Sequence, residues 1–276
     1  MLIQSPPQTT ARQLSLQIRR KIIEMSASPN GVHIGGSISI ADLLAVLYAE
    51  VLRDPAGEGT SGDRDHLILS KGQASAALYA VLAATGVIPE SECATYAEEG
   101  SRLGGHPMKR LPGVDFSTGA LGHGLPLALG VALAGQRFGH DKRAFVILGD
   151  GELQEGSNWE AAMAAAHHGA DNLIAIVDRN GWQISGRTDE CMSLEPLADK
   201  WGAFGWRVLG IDGHDHDQIR AALTGPVEPG RPTVVIARTV KARGVPGLQD
   251  TKQSHSATLD ESARRQALAV LEGDRA

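Results

Sequence analysis

The sequence predicts an α/β fold, a mostly parallel sheet covered by helices on both faces. Two observations carry this. Residues 144–148 (AFVIL) and 173–177 (LIAIV) are unbroken apolar runs, the pattern of strands buried on both faces. Elsewhere, short apolar runs alternate with segments of helical period, the order that builds parallel strands through helical crossovers. Those crossovers are expected to be right-handed.

The elements follow in order. Residues 11–27 place Leu14, Ile18, Ile22 and Met25 on one stripe, which predicts an amphipathic helix. Residues 40–52 and 74–84 read as further helices, the first rich in apolar positions. A polar, Gly-rich loop at 54–65 leads into a short strand at 66–69. Residues 125–138 form a helix of small side chains. The strand at 144–148 ends in a glycine turn, and a helix at 159–168 leads to the strand at 173–177. A helix near 195–204, a strand at 206–211, a helix at 215–223, a strand at 233–237 and a terminal helix at 260–272 complete the pattern. No repeat or low-complexity linker divides the chain. It reads as one domain over residues 1–276, with a core at 11–260 or so.

Composition narrows the classes. The chain has 276 residues, 42% hydrophobic and 21% charged, which is ordinary for a globular protein. Its net charge of −6, with no dense basic block, argues against nucleic acid as a partner. No apolar run reaches membrane-spanning length, and residues 1–8 carry no signal-peptide core. Cys93 and Cys191 match no metal pattern or disulfide framework, so both read as free thiols of a reducing compartment. The expected location is cytoplasmic.

The chemistry concentrates at the ends of the two apolar runs. Gly149-Asp150-Gly151 follows the first, and Asn180 follows the second after Asp178 and Arg179, with 28 residues (152 to 179) between GDG and Asn180. Open parallel sheets bind ligands at the carboxyl ends of their strands. Asp150 supplies an anionic oxygen and Asn180 a neutral one. With a backbone carbonyl, read as that of Trp182, and two oxygens of a diphosphate, they approach the octahedral oxygen shell of Mg²⁺. The glycines remove Cβ atoms where a ligand would approach closely. A bare GDG would otherwise be a glycine turn with an aspartate at a helix start.

The surrounding motifs resemble, in order, those of the thiamine diphosphate-binding half of the transketolase family. The GDG-to-Asn spacing resembles the thiamine diphosphate signature. His33-Ile34-Gly35-Gly36 resembles the family's GH-[IP]-GG segment, with Val32 in place of the first Gly. Residues 69–74 (LSKGQA) resemble LSKGHA, and Gly105-His106-Pro107 resembles GHP. Residues 118–124 (TGALGHG) resemble TG-[PS]-LGQG, and 149–156 (GDGELQEG) resemble GDGE-L-x-EG. Residues 239–244 (TVKARG) resemble TxKGKG, and His255 takes the place of the WHG histidine, although Ser254 and Ser256 flank it.

The resemblance implies roles. Asp150, Asn180 and the Trp182 carbonyl would hold Mg²⁺ (or Ca²⁺ or Mn²⁺), and the Gly151 N–H and Lys241 would meet the diphosphate. Gly122, His123 and Gly124 would form the turn facing the cofactor, His123 replacing the usual Gln. Glu155 would connect two cofactor sites across a dimer interface; a carboxylate favouring a helix N-terminus is its other reading. His33, His106 and His255 would line the substrate channel, bind ketose hydroxyls and move protons. Gln73 stands where the family has histidine. It can hydrogen-bond but cannot take up a proton near neutral pH, which fits either a retained hydroxyl contact or a changed acceptor half-reaction.

The resemblance covers nearly the whole chain but only the first domain of a full-length transketolase. It implies a partner chain carrying the pyrimidine-binding and C-terminal domains, an α2β2 heterotetramer, and a sugar phosphate substrate. The implied activity is transfer of a two-carbon ketol unit from a ketose phosphate to an aldose phosphate. Two alternatives stay open. One is a biosynthetic enzyme, part transketolase and part pyruvate dehydrogenase in character, passing a glycolyl unit to a lipoyl arm or carrier protein. The other is a non-catalytic cofactor-binding or scaffold subunit.

Overall fold

The computed structural model describes residues 9–56 and 62–273. The signal-peptide reading of residues 1–8 and the middle of the loop expected at 54–65 lie outside the described residues. Five strands, β1 (His66–Leu69), β2 (Ala144–Gly149), β3 (Leu173–Arg179), β4 (Arg207–Asp212) and β5 (Thr233–Arg238), form one sheet in the order β1-β2-β3-β5-β4. Every pairing is parallel. The two apolar runs are the adjacent central strands β2 and β3. Both reach further than their apolar residues: Gly149 pairs with Asp178 at the last rung.

Strand alternation explains the unbroken hydrophobicity. Phe145 and Ile147 of β2 and Ile174 and Ile176 of β3 point into one core, shared with helices α1 (Ala11–Met25), α2 (Ile34–Ser39), α3 (Ala41–Val46) and α4 (Ser75–Ala84). Val146, Leu148, Ala175 and Val177 point into the other, shared with α5 (Gly124–Phe138), α6 (Gly156–His167) and, after the short α7 (Thr188–Cys191), α8 (Leu197–Ala203), with Trp201 and Trp206 fully buried there. Helices α9 (His216–Thr224) and α10 (Glu261–Gly273) return to the first core through Ile219 and Leu271. Among the described residues, no helix is long and apolar enough to cross a membrane.

The start of α1 is a capping box, with Gln13 N–H on the Thr10 hydroxyl and Thr10 N–H on the Gln13 side chain. Its stripe of Leu14, Ile18 and Ile22 is buried as the period predicts. The expected helix at 40–52 differs. It is α3 followed by a π-helical turn at Leu47–Val51, with α2 immediately before it. Residues 40–47 are buried on all sides, so no polar stripe marks where one helix ends. Helix α2 contains Gly35 and Gly36, and α6 starts at Gly156, three residues before the expected boundary; glycine's poor helix propensity hides both.

Candidate active site

Because β2 and β3 are neighbours, the residues just past their carboxyl ends face each other. Asp150 is 1% exposed. It accepts N–H bonds from Gly151 (2.8 Å) and Gly181 (2.6 Å) and a guanidinium bond from Arg179 (3.0 Å). Burial, reinforced by the neighbouring Asp178, pushes its carboxyl up to about 6. The Asn180 amide donates to Asp178 at 2.8 Å, which fixes its orientation and leaves the oxygen as the acceptor end, shared with the Trp182 N–H at 3.0 Å.

Beneath this pair lies a floor of buried charge. Asp178 is fully buried in β3 and accepts from Lys71, Thr239, Ser39 (2.7 Å) and Asn180. Burial works against its ionisation, but Lys71 and the hydroxyls outweigh it and hold the carboxyl below the ordinary range. Lys71, 2% exposed, also donates to the Gly36 carbonyl at 3.0 Å. Glu152 is a second anchor. It accepts from Ser70 and from the N–H groups of Gly122 and Gly149, both at 2.9 Å, while Ser70 accepts from the Gly124 N–H at 3.0 Å. One carboxylate thereby ties the 122–124 turn to the end of β2. The motif reading gave Lys71, Asp178 and Glu152 no role. The available signal was charge at or next to buried strands, where an unpaired ion is too costly to persist.

Above the floor opens a cavity of about 390 Å³. Asp150, Gly151, Asn180, Trp182 and Lys241 line it, as do Glu155, Gln73, His33, His106 and His255. The rings of His33 and His255 meet edge to face at 5.2 Å between centroids, and His106 lies 6.3 Å from His33. Burial, then His106 and Lys71, lowers the His33 pKa. Burial, then Lys241 and His33, lowers that of His255 to about 4. Both imidazoles are therefore neutral near pH 7. Lys241 is 3% exposed, and its amine has no hydrogen-bond partner among the described residues. It lies 5.3 Å from the Trp182 ring centroid, and burial together with Lys71 lowers its pKa to about 8.

Gly122, His123 and Gly124 do not line the cavity. His123 is exposed and its Nδ1 meets the Leu121 carbonyl at 3.0 Å. The close approach at the two glycines is to protein. A Cβ on Gly122 would lie 2.5 Å from the Ser157 hydroxyl, and one on Gly124 would lie 2.3 Å from Ser70. Likewise, a Cβ on Gly151 would meet the Gln183 side chain at 2.7 Å. Gln154 and Gln183, bonded to each other at 2.6 Å, extend the cavity wall beyond any residue singled out in the sequence.

Fold and site together define a parallel α/β domain whose ligand cavity opens across the carboxyl ends of its central strands. Residues 11–271 match the family model described as transketolase, thiamine diphosphate binding domain. The chain belongs to the transketolase family. It is 42% identical over 240 residues to one of the subunits of apulose-4-phosphate transketolase from Actinobacillus succinogenes, covering 86% of this chain and 87% of that one. It is 40% identical over 269 residues to SqwG, a 6-deoxy-6-sulfo-D-fructose transketolase subunit of Clostridium sp. MSTE9, covering 95% and 98%. The crystal structure of transketolase from Campylobacter jejuni superposes with a TM-score of 0.88 at 30% identity, spanning 95% of this chain but 42% of that enzyme.

Proposed function

We propose that this chain is the diphosphate-holding subunit of a two-chain transketolase, working with thiamine diphosphate and a divalent cation. The observation that carries this is the buried Lys241 amine without a hydrogen-bond partner among the described residues, lining the same cavity as Asp150 and Asn180. A buried ammonium without hydrogen bonds is costly, and an anionic group of the cofactor would supply the missing acceptor. Asp150, whose carboxyl is pushed up to about 6 despite the Arg179 guanidinium, would gain from a divalent cation a further positive charge that favours its ionised form. Among the described residues no cluster of three or more His, Cys, Asp or Glu could hold a metal. The cation would rest on Asp150, Asn180 and the Trp182 carbonyl, completed by diphosphate oxygens, a shell of the Mg²⁺ kind.

The bound cofactor supplies an electron sink for cleaving the bond beside a ketose carbonyl. The chain's residues bind and orient. Lys241 would offer its ammonium to the diphosphate, beside Gly151, whose N–H is donated to Asp150 in this structure. His33 and His255, held neutral, accept or pass protons of substrate hydroxyls, with His106 beside them. Gln73 grips a hydroxyl without changing charge. Relatives named for apulose 4-phosphate and for 6-deoxy-6-sulfo-D-fructose support a polyhydroxy ketose with an anionic end as donor. Their designation as subunits supports a partner chain that supplies the rest of the active site.

The test is reconstitution of the full chain with its partner, thiamine diphosphate and Mg²⁺. Ketol transfer from a ketose phosphate to an aldose phosphate is expected, and Asp150→Ala should abolish it. Full activity in Asp150→Ala would overturn the metal assignment. Turnover with a lipoyl or carrier-protein acceptor, and none with an aldose phosphate, would overturn the acceptor class.

A further inference from the structure

The segment that delivers Lys241 leaves the carboxyl end of β5 and is pinned from outside the cavity. His214 does not line the cavity, and its side chain is 4% exposed. Its Nε2 accepts the Val240 N–H at 2.8 Å, and its Nδ1 lies 2.8 Å from Asp42 Oδ2. A backbone N–H can only donate. Nε2 therefore carries no proton, Nδ1 carries one, and the ring is neutral, donating to Asp42 at one end and accepting from Val240 at the other.

Asp42 is itself held firmly. It accepts from Ser15 at 2.6 Å, from the Arg19 guanidinium and from His216 at 2.9 Å. These partners come from α1 and α9, so the carboxylate is fixed relative to two packed helices. Arg19 also reaches the Arg243 carbonyl at 3.5 Å. Within the pinned segment, Ala242 takes a left-handed φ of 52° while its N–H bonds the Gly35 carbonyl at 3.1 Å. Gly35 leaves room for the lysine stem: a Cβ there would lie 2.8 Å from Lys241 Cε.

From this arrangement we infer that the Asp42–His214 pair is a positioning device for the active site, holding the Val240 backbone so that the adjacent Lys241 ammonium reaches the diphosphate. His214 acts through Lys241 and touches neither cofactor nor substrate. The inference rests on the reading of Lys241 as a diphosphate ligand. The strut has an evident reason to exist. A lysine stem has four rotatable bonds and loses much freedom when ordered, so fixing its backbone removes part of that cost before the ligand arrives.

The experiment is a double-mutant cycle on the full chain, read by calorimetric titration with thiamine diphosphate in the presence of Mg²⁺. His214→Ala should weaken affinity by about tenfold, the scale of 1.4 kcal/mol. His214→Gln, which keeps a donor and an acceptor, should recover most of it and covers the case in which the alanine variant does not fold. In a Lys241→Met background, the His214 substitutions should have no further effect, because the interaction they support is already gone. Amide exchange at Val240 should accelerate in His214→Ala. An undiminished His214 penalty in the Lys241→Met background, or unchanged exchange at Val240, would overturn the strut. Lys241→Met binding as tightly as the parent, with Val240 exchange still accelerated in His214→Ala, would overturn the diphosphate reading of Lys241 and with it the strut's purpose.

Discussion

The floor and the rim of the cavity are built on opposite principles. On the floor, Asp178 and Glu152 are buried carboxylates whose oxygens are taken by lysine, hydroxyl, carboxamide and backbone donors. On the rim, the His33 ring meets those of His106 and His255. His106 is exposed, and the other two are half-buried. The difference teaches which polar groups the fold pairs internally and which it leaves open to the cavity. Ions taken out of water must be fully paired, so the floor is rigid and holds Asn180 and the end of β2 in place. The rim leaves its imidazoles open to the cavity.

That contrast predicts a graded set of effects on stability. The largest belongs to Lys71. Replacing it with Met leaves Asp178 buried without its counter-charge, and urea unfolding should show a loss of roughly 3–5 kcal/mol. A loss below about 1 kcal/mol would mean that the floor is not held by this pair. Next is Gly124→Ala. Its Cβ would lie 2.3 Å from the Ser70 side chain, and the resulting overpacking should cost about 1–3 kcal/mol by the same measurement.

A smaller, pH-dependent effect comes from the rim. His255 titrates at about 4 in the folded chain, below its ordinary value of 6.5. On acidification the unfolded chain takes up this proton first, so unfolding becomes easier as pH falls from 6.5 towards about 4. His33 shifts in the same direction and adds to the slope. Unfolding free energies measured between pH 7.5 and 4 should fall less steeply in His255→Asn than in the parent; equal slopes would remove the neutral-imidazole assignment. The smallest effect is that of His106→Ala. At an exposed rim position it should change stability by no more than about 0.5 kcal/mol, while ketol transfer by the reconstituted enzyme falls sharply. A change in stability of floor size would place His106 in the wrong half of the comparison.

Much of this cavity was legible in the sequence because the residues at its strand ends are local. Asp150 and Asn180 each follow an apolar run at once, and buried parallel strands deliver such residues to one edge of the sheet. The floor was not legible in the same way. Lys71 and Ser39 lie 107 and 139 residues from Asp178, and no local period relates them. Local pattern also left open what approaches the 122–124 turn. Its glycines signal a close approach, but the approaching atoms belong to Ser157, Glu155 and Ser70.

By itself, the sequence determined the parallel α/β class, the two central strands and the family, since hydrophobic period and motif order are properties of neighbouring residues. Only the tertiary structure decided which charges are paired and which are left facing the cavity. It showed Lys241 buried without a hydrogen-bond partner among the described residues, Asp178 saturated by donors from across the chain, and His214 bridging Asp42 to the Val240 amide. The physical reason is that burial sets the energy of a charge. Burial is fixed by packing among distant segments, which adjacent letters do not record.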